Sequence, residues 1–147
     1  MKKLLKYSKK LSKKYKLVID ANIIISAIFG GYPEKALEIA ISHEVFAPII
    51  LEKELNKFIE KVRKKKEFPN LRLFFNYILN HINLVTVEKL ENITRDKTDD
   101  FYIAVAIQEE VDFLITGDKD LLSCKDIRKW SFKILSPKEF IEVIRNS

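Results

Sequence analysis

The stretch RDKTDDFYIAVAIQEEVDFLITGDKDLL, residues 95–122, joins a helix to a strand and carries carboxylates at the start of the one and the end of the other. Its pattern predicts a helix over Thr98–Glu110 and a strand over Asp112–Thr116. With Asp96 as N-cap, Asp99 falls in the first helical turn, where the helix dipole stabilises a carboxylate by ~0.3–1 kcal/mol. The acidic residues at the two ends are Asp96, Asp99, Asp100 and Asp118. A helix feeding directly into an apolar strand is typical of an α/β domain.

A similar junction occurs earlier, in KLVIDANIIISAI, residues 16–28. Leu17–Ile19 predicts a strand that ends at Asp20, and Asn22–Ile28 predicts the helix behind it. A carboxylate between two apolar segments is costly when it is buried without a partner. It is tolerated at the carboxyl end of a parallel strand, where α/β sheets place their ligand sites.

The rest of the chain continues this alternation. Further strands are predicted over Glu44–Ala47, Leu84–Val87 and Phe132–Leu135, further helices from Pro33, from Pro48, over 69–80 and from Ser136, and a loop over 29–32. In the last helix, Ser136 is the expected N-cap, with Pro137 at the first position and Glu139 completing a capping box. Five strands alternating with helices predict an α/β domain with a mainly parallel sheet.

Composition limits the class of protein. A chain of 147 residues with 47% apolar residues is long enough for one domain with a sizeable core. No apolar run approaches the ~20 residues of a membrane span. Cys124 is the single cysteine, which excludes a disulfide framework or a cysteine metal cluster and favours a cytoplasmic location.

The net charge of +6 is concentrated at the N-terminus. Residues 1–16 contain eight Lys and no acid, so the remainder of the chain carries a net charge of −2. We therefore treat residues 1–15 as a Lys-rich extension and residues 16–147 as a single domain. A second basic run consists of Lys61, Arg63, Lys64, Lys65 and Lys66. Such runs are often solvated faces, but they can also hold nucleic-acid phosphates, and the extension could instead dock on the domain or on an anionic membrane.

The carboxyl ends of parallel strands share one edge of the sheet, so the acids that follow the strands are expected to converge. Taken singly, each has an ordinary alternative: Asp96 as a cap, Glu52 and Glu54 as solvated helix residues, and Asp120 as a turn residue. Converging carboxylates repel one another unless a cation neutralises them or some are protonated. Oxygen-only ligands suit Mg²⁺ or Mn²⁺.

Taken together, VIDANIIIS, Glu54 in EKEL and the stretch from residue 95 to 122 resemble the PIN domain family, and in particular the VapC-like toxins of toxin–antitoxin pairs. The resemblance covers roughly residues 16 to 140 and implies a three-layer α/β/α fold. The Lys-rich first 15 residues are not part of the family's pattern. The pattern usually has Pro after the first acid of the helix start, where this chain has Lys97.

The resemblance implies a set of site residues. The catalytic carboxylates would be Asp20, Glu54, Asp99 and Asp118, of which Asp20, Asp99 and Asp118 would bind metal. Asn22 and Ser26 match the polar pair around the first Asp, and Thr116 matches the hydroxyl that supports the last turn. Asp96 and Asp100 are supporting residues, with Asp100 an alternative to Asp99 as the ligand.

The activity implied is that of a Mg²⁺- or Mn²⁺-dependent endoribonuclease, acting on RNA and restrained by an antitoxin, with a homodimer as a further expectation. The basic run and the extension are candidates for holding RNA, with Tyr32 or Tyr102 as stacking partners. Two alternatives remain: a catalytically weak PIN fold that binds RNA or protein, and an aspartyl-phosphate phosphatase. The phosphatases require a second Asp two residues after the first, where this chain has Asn22.

Overall fold

The computed structural model describes residues 14–63 and 70–147, whose architecture is built on a five-stranded parallel sheet. The strands are β1 (Lys16–Ile19), β2 (Glu44–Pro48), β3 (Ile82–Val85), β4 (Phe113–Ile115) and β5 (Lys133–Leu135). Their order across the sheet is β3-β2-β1-β4-β5, and every neighbouring pair is parallel. This confirms the predicted α/β fold class.

The described ranges contain seven α-helices, six between the strands and one after β5. They are α1 (Ala21–Ala27), α2 (Gly31–Ala40), α3 (Ile50–Val62), α4 (Leu71–Leu79), α5 (Lys97–Gln108), α6 (Lys119–Leu122) and α7 (Pro137–Arg145), and a 3₁₀ helix spans Ser123–Asp126. Right-handed crossovers place α1 to α4 on one face of the sheet and α5 on the other. The last helix, α7, packs against α2 and therefore joins the first face. The result is the three-layer α/β/α arrangement.

The central strands β1 and β4 lie side by side and are fully buried by helices on both faces. Leu17, Ile19, Leu114 and Ile115 are 0% exposed, as expected of a parallel sheet with no solvated face. The strand order reverses between β1 and β4, since β2 and β3 extend the sheet on one side and β5 on the other. In α/β folds such a reversal opens a crevice at the carboxyl ends of the strands.

Several predicted boundaries were wrong by a few residues. The third strand was predicted over Leu84–Val87 but spans Ile82–Val85. In its ladder with β2 the last pair is Pro48 with Val85, after which the chain of β2 turns into the helix that begins at Ile50. Residues 29–32 are only partly a loop, because α2 begins at Gly31, which makes Pro33 the third helical residue rather than the first.

The short helix α6 and the 3₁₀ helix behind it were not predicted. Asp118 caps α6 by accepting a hydrogen bond from the backbone N–H of Asp120 at 2.8 Å. The predicted caps at Asp96 and Ser136 are confirmed, and the capping box of Ser136 and Glu139 is complete. In the parts of the chain that the structure describes, no helix has the length and apolar character needed to cross a membrane.

Candidate active site

The crevice at the carboxyl ends of β1 and β4 is lined by carboxylates from several segments. Asp20 follows β1 directly, Asp118 follows β4, and Asp99 lies in the first turn of α5. Glu54 is in the second turn of α3, the helix that follows β2. The parallel sheet thus brings together the four carboxylates that the sequence suggested for catalysis.

Asp20 is held in place by two hydrogen bonds. It caps α1 by accepting from the backbone N–H of Ile23 at 3.1 Å, and its Oδ2 accepts a hydrogen bond from the Thr116 hydroxyl. Burial raises the pKa of Asp20 to about 7, the two hydrogen bonds oppose that rise, and the charges of Asp118 and Glu54 add to it. At neutral pH Asp20 is therefore a carboxylate close to its titration point.

The hydroxyl of Thr116 links the two central strands. While it donates to Asp20, its oxygen accepts the backbone N–H of Asp118 at 2.9 Å. It therefore fixes the turn after β4 relative to the end of β1. This is the supporting position expected for Thr116. Asn22 is exposed and Ser26 half-buried, and neither is among the groups that bond to Asp20 in the described structure.

Asp99 is the cleft carboxylate whose charge is least compensated by hydrogen bonds in the described structure. It is 6% exposed, and its Oδ2 is a buried oxygen with no hydrogen-bond partner. Burial raises the pKa of Asp99 to about 7, and the negative charges of Asp118, Asp96 and Asp20 contribute to that rise. Among the described residues, no Lys or Arg forms an ion pair with Asp99, Asp20 or Asp118.

Oxygens of Asp99, Asp118 and Asp120 lie within 4.8 Å of one another, a spacing that could hold a metal ion. Asp20 is outside this group of three, although its charge acts on Asp99. A turn residue is the ordinary alternative that the sequence offers for Asp120. Its position follows from helix α6, whose cap Asp118 lies two residues earlier, and the Asp-x-Asp spacing in GDKD was the signal for it.

Asp100 faces away from this group although it follows Asp99 directly. Its Oδ1 accepts the backbone N–H of Ile93 at 3.2 Å and of Thr94 at 2.8 Å, so it fastens the loop ahead of α5. Asp96, at the same helix start, is exposed and caps α5 through the N–H of Thr98. The geometry therefore favours Asp99 over Asp100 as the ligand.

Glu54 faces Tyr102, which is not the stacking partner that the sequence suggested. Tyr102 is 1% exposed and its hydroxyl donates to Glu54 Oε1 at 2.6 Å, so its ring has no face open for stacking on a base. Burial raises the pKa of Glu54, and the Tyr102 hydrogen bond opposes that rise. Tyr32, by contrast, is 56% exposed.

Only some of the basic residues that were predicted to bind RNA lie among the described residues. Lys61 and Arg63 are exposed at the end of α3, and Arg63 pairs with Glu60 at 3.3 Å. Lys64, Lys65 and Lys66 lie outside the described residues, as do residues 1–13 of the Lys-rich extension.

The sequence of this chain is similar to that of known proteins over most of its length. A sequence model described as PIN domain matches residues 16–120. The uncharacterized protein MJ1680 of Methanocaldococcus jannaschii is 32% identical over 142 aligned residues, which cover 88% of this chain and 91% of that protein.

Two solved structures share the fold. PAE2754 from Pyrobaculum aerophilum has a TM-score of 0.63 at 13% identity, and the match covers 90% of this chain and 91% of that one. VapBC2 from Rickettsia felis, bound to a DNA fragment from its promoter, has a TM-score of 0.57 at 16% identity, and the match covers 82% of this chain and 98% of that one. At such low identity these two likenesses show the fold alone.

Proposed function

The chain belongs to the PIN domain family, and from this premise we propose that it is a divalent-metal-dependent endoribonuclease, the toxin of a toxin–antitoxin pair. PIN domains are generally nucleases, which makes hydrolysis of a phosphodiester the expected reaction. The observation that carries the proposal is the buried, unpartnered Oδ2 of Asp99 beside Asp118 and Asp120.

A metal fits these residues better than a proton does. A buried carboxylate oxygen without a donor is destabilising, and several like charges in one crevice make it more so. The donor set consists of carboxylate oxygens, which Mg²⁺ and Mn²⁺ prefer. Asp99 and Asp118 would hold the ion, with Asp20 and Asp120 beside them. When bound, the ion would supply a more acidic water and neutralise charge on the phosphate.

The remaining residues would orient the reactants. Thr116 keeps Asp20 and the Asp118 turn at a fixed separation. Glu54 is held by its hydrogen bond from Tyr102. It would position the attacking water or accept a proton from it. We expect in-line attack by water to leave a 5′-phosphate and a 3′-hydroxyl, since no described His lies among the cleft residues to activate the 2′-hydroxyl of RNA.

The toxin role is supported by the sequence resemblance and by the fold shared with VapBC2 of R. felis. A partner antitoxin and a homodimer follow from the same proposal, and neither is needed for the chemistry of the cleft. Co-purification of the chain with the product of a neighbouring short gene would test the pairing.

The experiment is cleavage of a mixed, end-labelled RNA pool in Mg²⁺, in Mn²⁺ and in EDTA, with mapping of the product ends. The wild type is compared with Asp20→Asn and Asp118→Asn. Asp126→Asn is the matched control, because Asp126 is an exposed acid outside the cleft. We expect metal-dependent cuts with 5′-phosphate ends in the wild type and control, and a loss of about 100-fold or more in both cleft variants.

Two results would contradict the proposal. Cleavage that persists in Asp20→Asn and Asp118→Asn would place the active site elsewhere. RNA binding without cleavage in either metal would identify a PIN fold that acts as a binding module.

A further inference from the structure

Helix α3 carries three lysines at regular spacing, Lys53, Lys57 and Lys61. Residues four apart lie on the same side of a helix, and each is about 6 Å further along its axis. All three are exposed, and none forms an ion pair or hydrogen bond with a described residue. We name these three residues the lysine track.

The opposite side of α3 is anchored in the core. Leu51, Leu55 and Val62 are buried, and the helix packs against α1 and α4. The lysine track is therefore a fixed feature of the surface, and its ammonium groups are not used to hold the fold together. In the described parts of the chain, no other helix carries three cationic residues.

The lysine track begins beside the acidic cleft. Lys57 is three residues after Glu54, so the two side chains are neighbours on the helix. The ammonium of Lys57 works against the rise in the pKa of Glu54, which shows that the two charges act on each other. Lys53 precedes Glu54 directly, in the first turn of the helix that rises from the carboxyl end of β2.

Of the three acidic residues on α3, Glu54 acts on Lys57, whereas Glu60 and Glu52 leave the lysine track largely unneutralised. Glu60 pairs with Arg63 at 3.3 Å, so its carboxylate is compensated without the lysine track. Glu52 lies about 100° around the helix from Lys53, away from the side that carries Lys57 and Lys61. Glu54 offsets part of the charge of Lys57, and the track presents three exposed ammonium groups, none in an ion pair with a described residue, next to a crevice lined with carboxylates.

We propose that the lysine track binds the phosphate backbone of single-stranded RNA and leads the strand into the acidic cleft. The cleft itself repels phosphates, and a row of ammonium groups supplies the sequence-independent attraction that a strand needs to approach it. The spacing of one lysine per helical turn suits successive phosphates of an extended strand. This inference rests on the proposed nuclease function for its substrate, and it adds Lys53 and Lys57 to the residues that contact RNA.

The test measures RNA binding separately from cleavage. Affinity for a short fluorescein-labelled oligouridylate is measured by anisotropy in EDTA over a range of KCl concentrations. The variant Lys53→Gln/Lys57→Gln/Lys61→Gln is compared with Lys35→Gln/Lys129→Gln/Lys133→Gln, which removes the same charge from exposed lysines on other elements. A third variant replaces the lysine track with arginine, and circular dichroism confirms that each variant is folded.

We expect the lysine-track variant to bind roughly tenfold or more weakly at low salt, while the matched variant is affected much less. The slope of log K against log salt should fall by about 2, because each phosphate that is no longer neutralised lowers it by ~0.7. The arginine variant should bind like the wild type. Equal weakening in the two glutamine variants would reduce the effect to net charge and overturn the inference. Unchanged RNA binding by the lysine-track variant would overturn it as well, and is the result expected if the track serves an acidic protein instead.

The same RNA, incubated in Mg²⁺ or Mn²⁺, separates this inference from the proposed function. Cleavage by the wild type with undiminished binding by the lysine-track variant would leave the nuclease standing and refute the track. Binding that depends on the lysine track, without cleavage by the wild type in either metal, would support the track and refute the nuclease.

Discussion

Two uncharged side chains determine how the carboxylates of the cleft are held. Thr116 and Tyr102 each donate a hydroxyl hydrogen to a carboxylate, to Asp20 and to Glu54 respectively. Both donor side chains are buried, which limits the access of water to these hydrogen bonds. Such partners orient the side chains that act on a ligand, and removing one typically lowers metal affinity or activity by about 10- to 100-fold.

Replacing Tyr102 by Phe tests this role for Glu54. The change removes the hydroxyl at 2.6 Å from Glu54 Oε1 and leaves the buried ring in place. We expect the cleavage rate to fall by about 10- to 100-fold, with KM little changed. The free energy of unfolding should fall by ~1 kcal/mol, since the half-buried Glu54 carboxylate loses its donor.

A double-mutant comparison shows whether the effect acts through Glu54. In a Glu54→Gln background, Tyr102→Phe should lower the rate little further, because the two residues act as a pair. Tyr77→Phe is the control, since Tyr77 is 55% exposed on α4. Fully additive decreases would mean that Tyr102 supports the fold rather than the position of Glu54.

Individual site residues could be predicted from the sequence where the signal lay in their immediate neighbours along the chain. Asp20 and Asp118 each follow an apolar strand, and that alone predicted a shared edge. The partner of Tyr102 is 48 residues away along the chain, and no spacing rule connects them. Asp99 and Asp100 are equivalent in sequence, and only the direction of each side chain separates them.

Among the helices, α7 has the most completely defined start. Ser136 accepts the N–H of Glu139 at 3.1 Å, Glu139 Oε1 accepts the N–H of Ser136 at 3.0 Å, and Lys125 pairs with the same carboxylate at 2.8 Å. The helix packs against α2 and follows the edge strand β5. Its N-terminus therefore fixes the outer layer on one side of the sheet.

Replacing Ser136 by Ala should lower the free energy of unfolding by ~1 kcal/mol, the usual effect of removing an N-cap side chain. For a domain of this size, that corresponds to a decrease of about 2–4 °C in Tm. Thermal denaturation followed by circular dichroism measures it. Ser131→Ala, at an exposed position, should leave Tm unchanged, and an equal shift in both variants would argue against the capping box.

Elements whose ends are marked by local capping residues were predicted well. Elements whose ends depend on contacts with other segments were not. The capping box in SPKE is complete within four residues, so α7 was placed correctly from sequence. The bounds of β3 depend on where β2 ends, at Pro48, which is not visible in the sequence of β3 itself. Helix α6 has four residues, too few to show a periodicity.

At the scale of the whole molecule, the fold holds negative charge in a buried crevice without a described cation to balance it. Asp20 and Asp99 are 4% and 6% exposed, and burial raises the pKa of each to about 7. The folded protein therefore retains protons on these groups at pH values where the unfolded chain has released them. Stability must fall as pH rises through that interval.

In EDTA, we expect the free energy of unfolding to be lower at pH 8 than at pH 5. An unfolded Asp titrates at ~3.9, so the decrease should begin above that value and be complete just above the folded pKa of about 7. One pKa unit corresponds to ~1.4 kcal/mol, so a total of ~2 kcal/mol or more is expected. Urea denaturation at a series of pH values measures it, and Asp99→Asn should flatten the dependence.

Adding Mg²⁺ or Mn²⁺ at pH 8 should restore stability, by about 1.4 kcal/mol at ten times Kd. The restoration should be absent in Asp118→Asn and kept in Asp126→Asn. Stability that does not depend on pH in EDTA, or a metal effect that survives in Asp118→Asn, would contradict the metal site.

The alternation of strands and helices predicted a parallel sheet, but it left the order of the strands open. That order decides which acids meet, because it places β4 rather than β3 beside β1. Nothing in the composition of three- to five-residue apolar strands distinguishes one neighbour from another. The shared edge could therefore be foreseen, and the resemblance placed Asp99 with Asp118, but Asp120 was not predicted to join them.

The hydrogen bond between Asp20 and Thr116 spans 96 residues of chain. The ribosome releases β1 well before β4, so Asp20 emerges long before the strand that precedes its hydrogen-bond donor. Pairing over such a separation is also slow to form. The arrangement of Asp20 beside the end of β4 therefore cannot form during translation until residue 116 has been released from the ribosome.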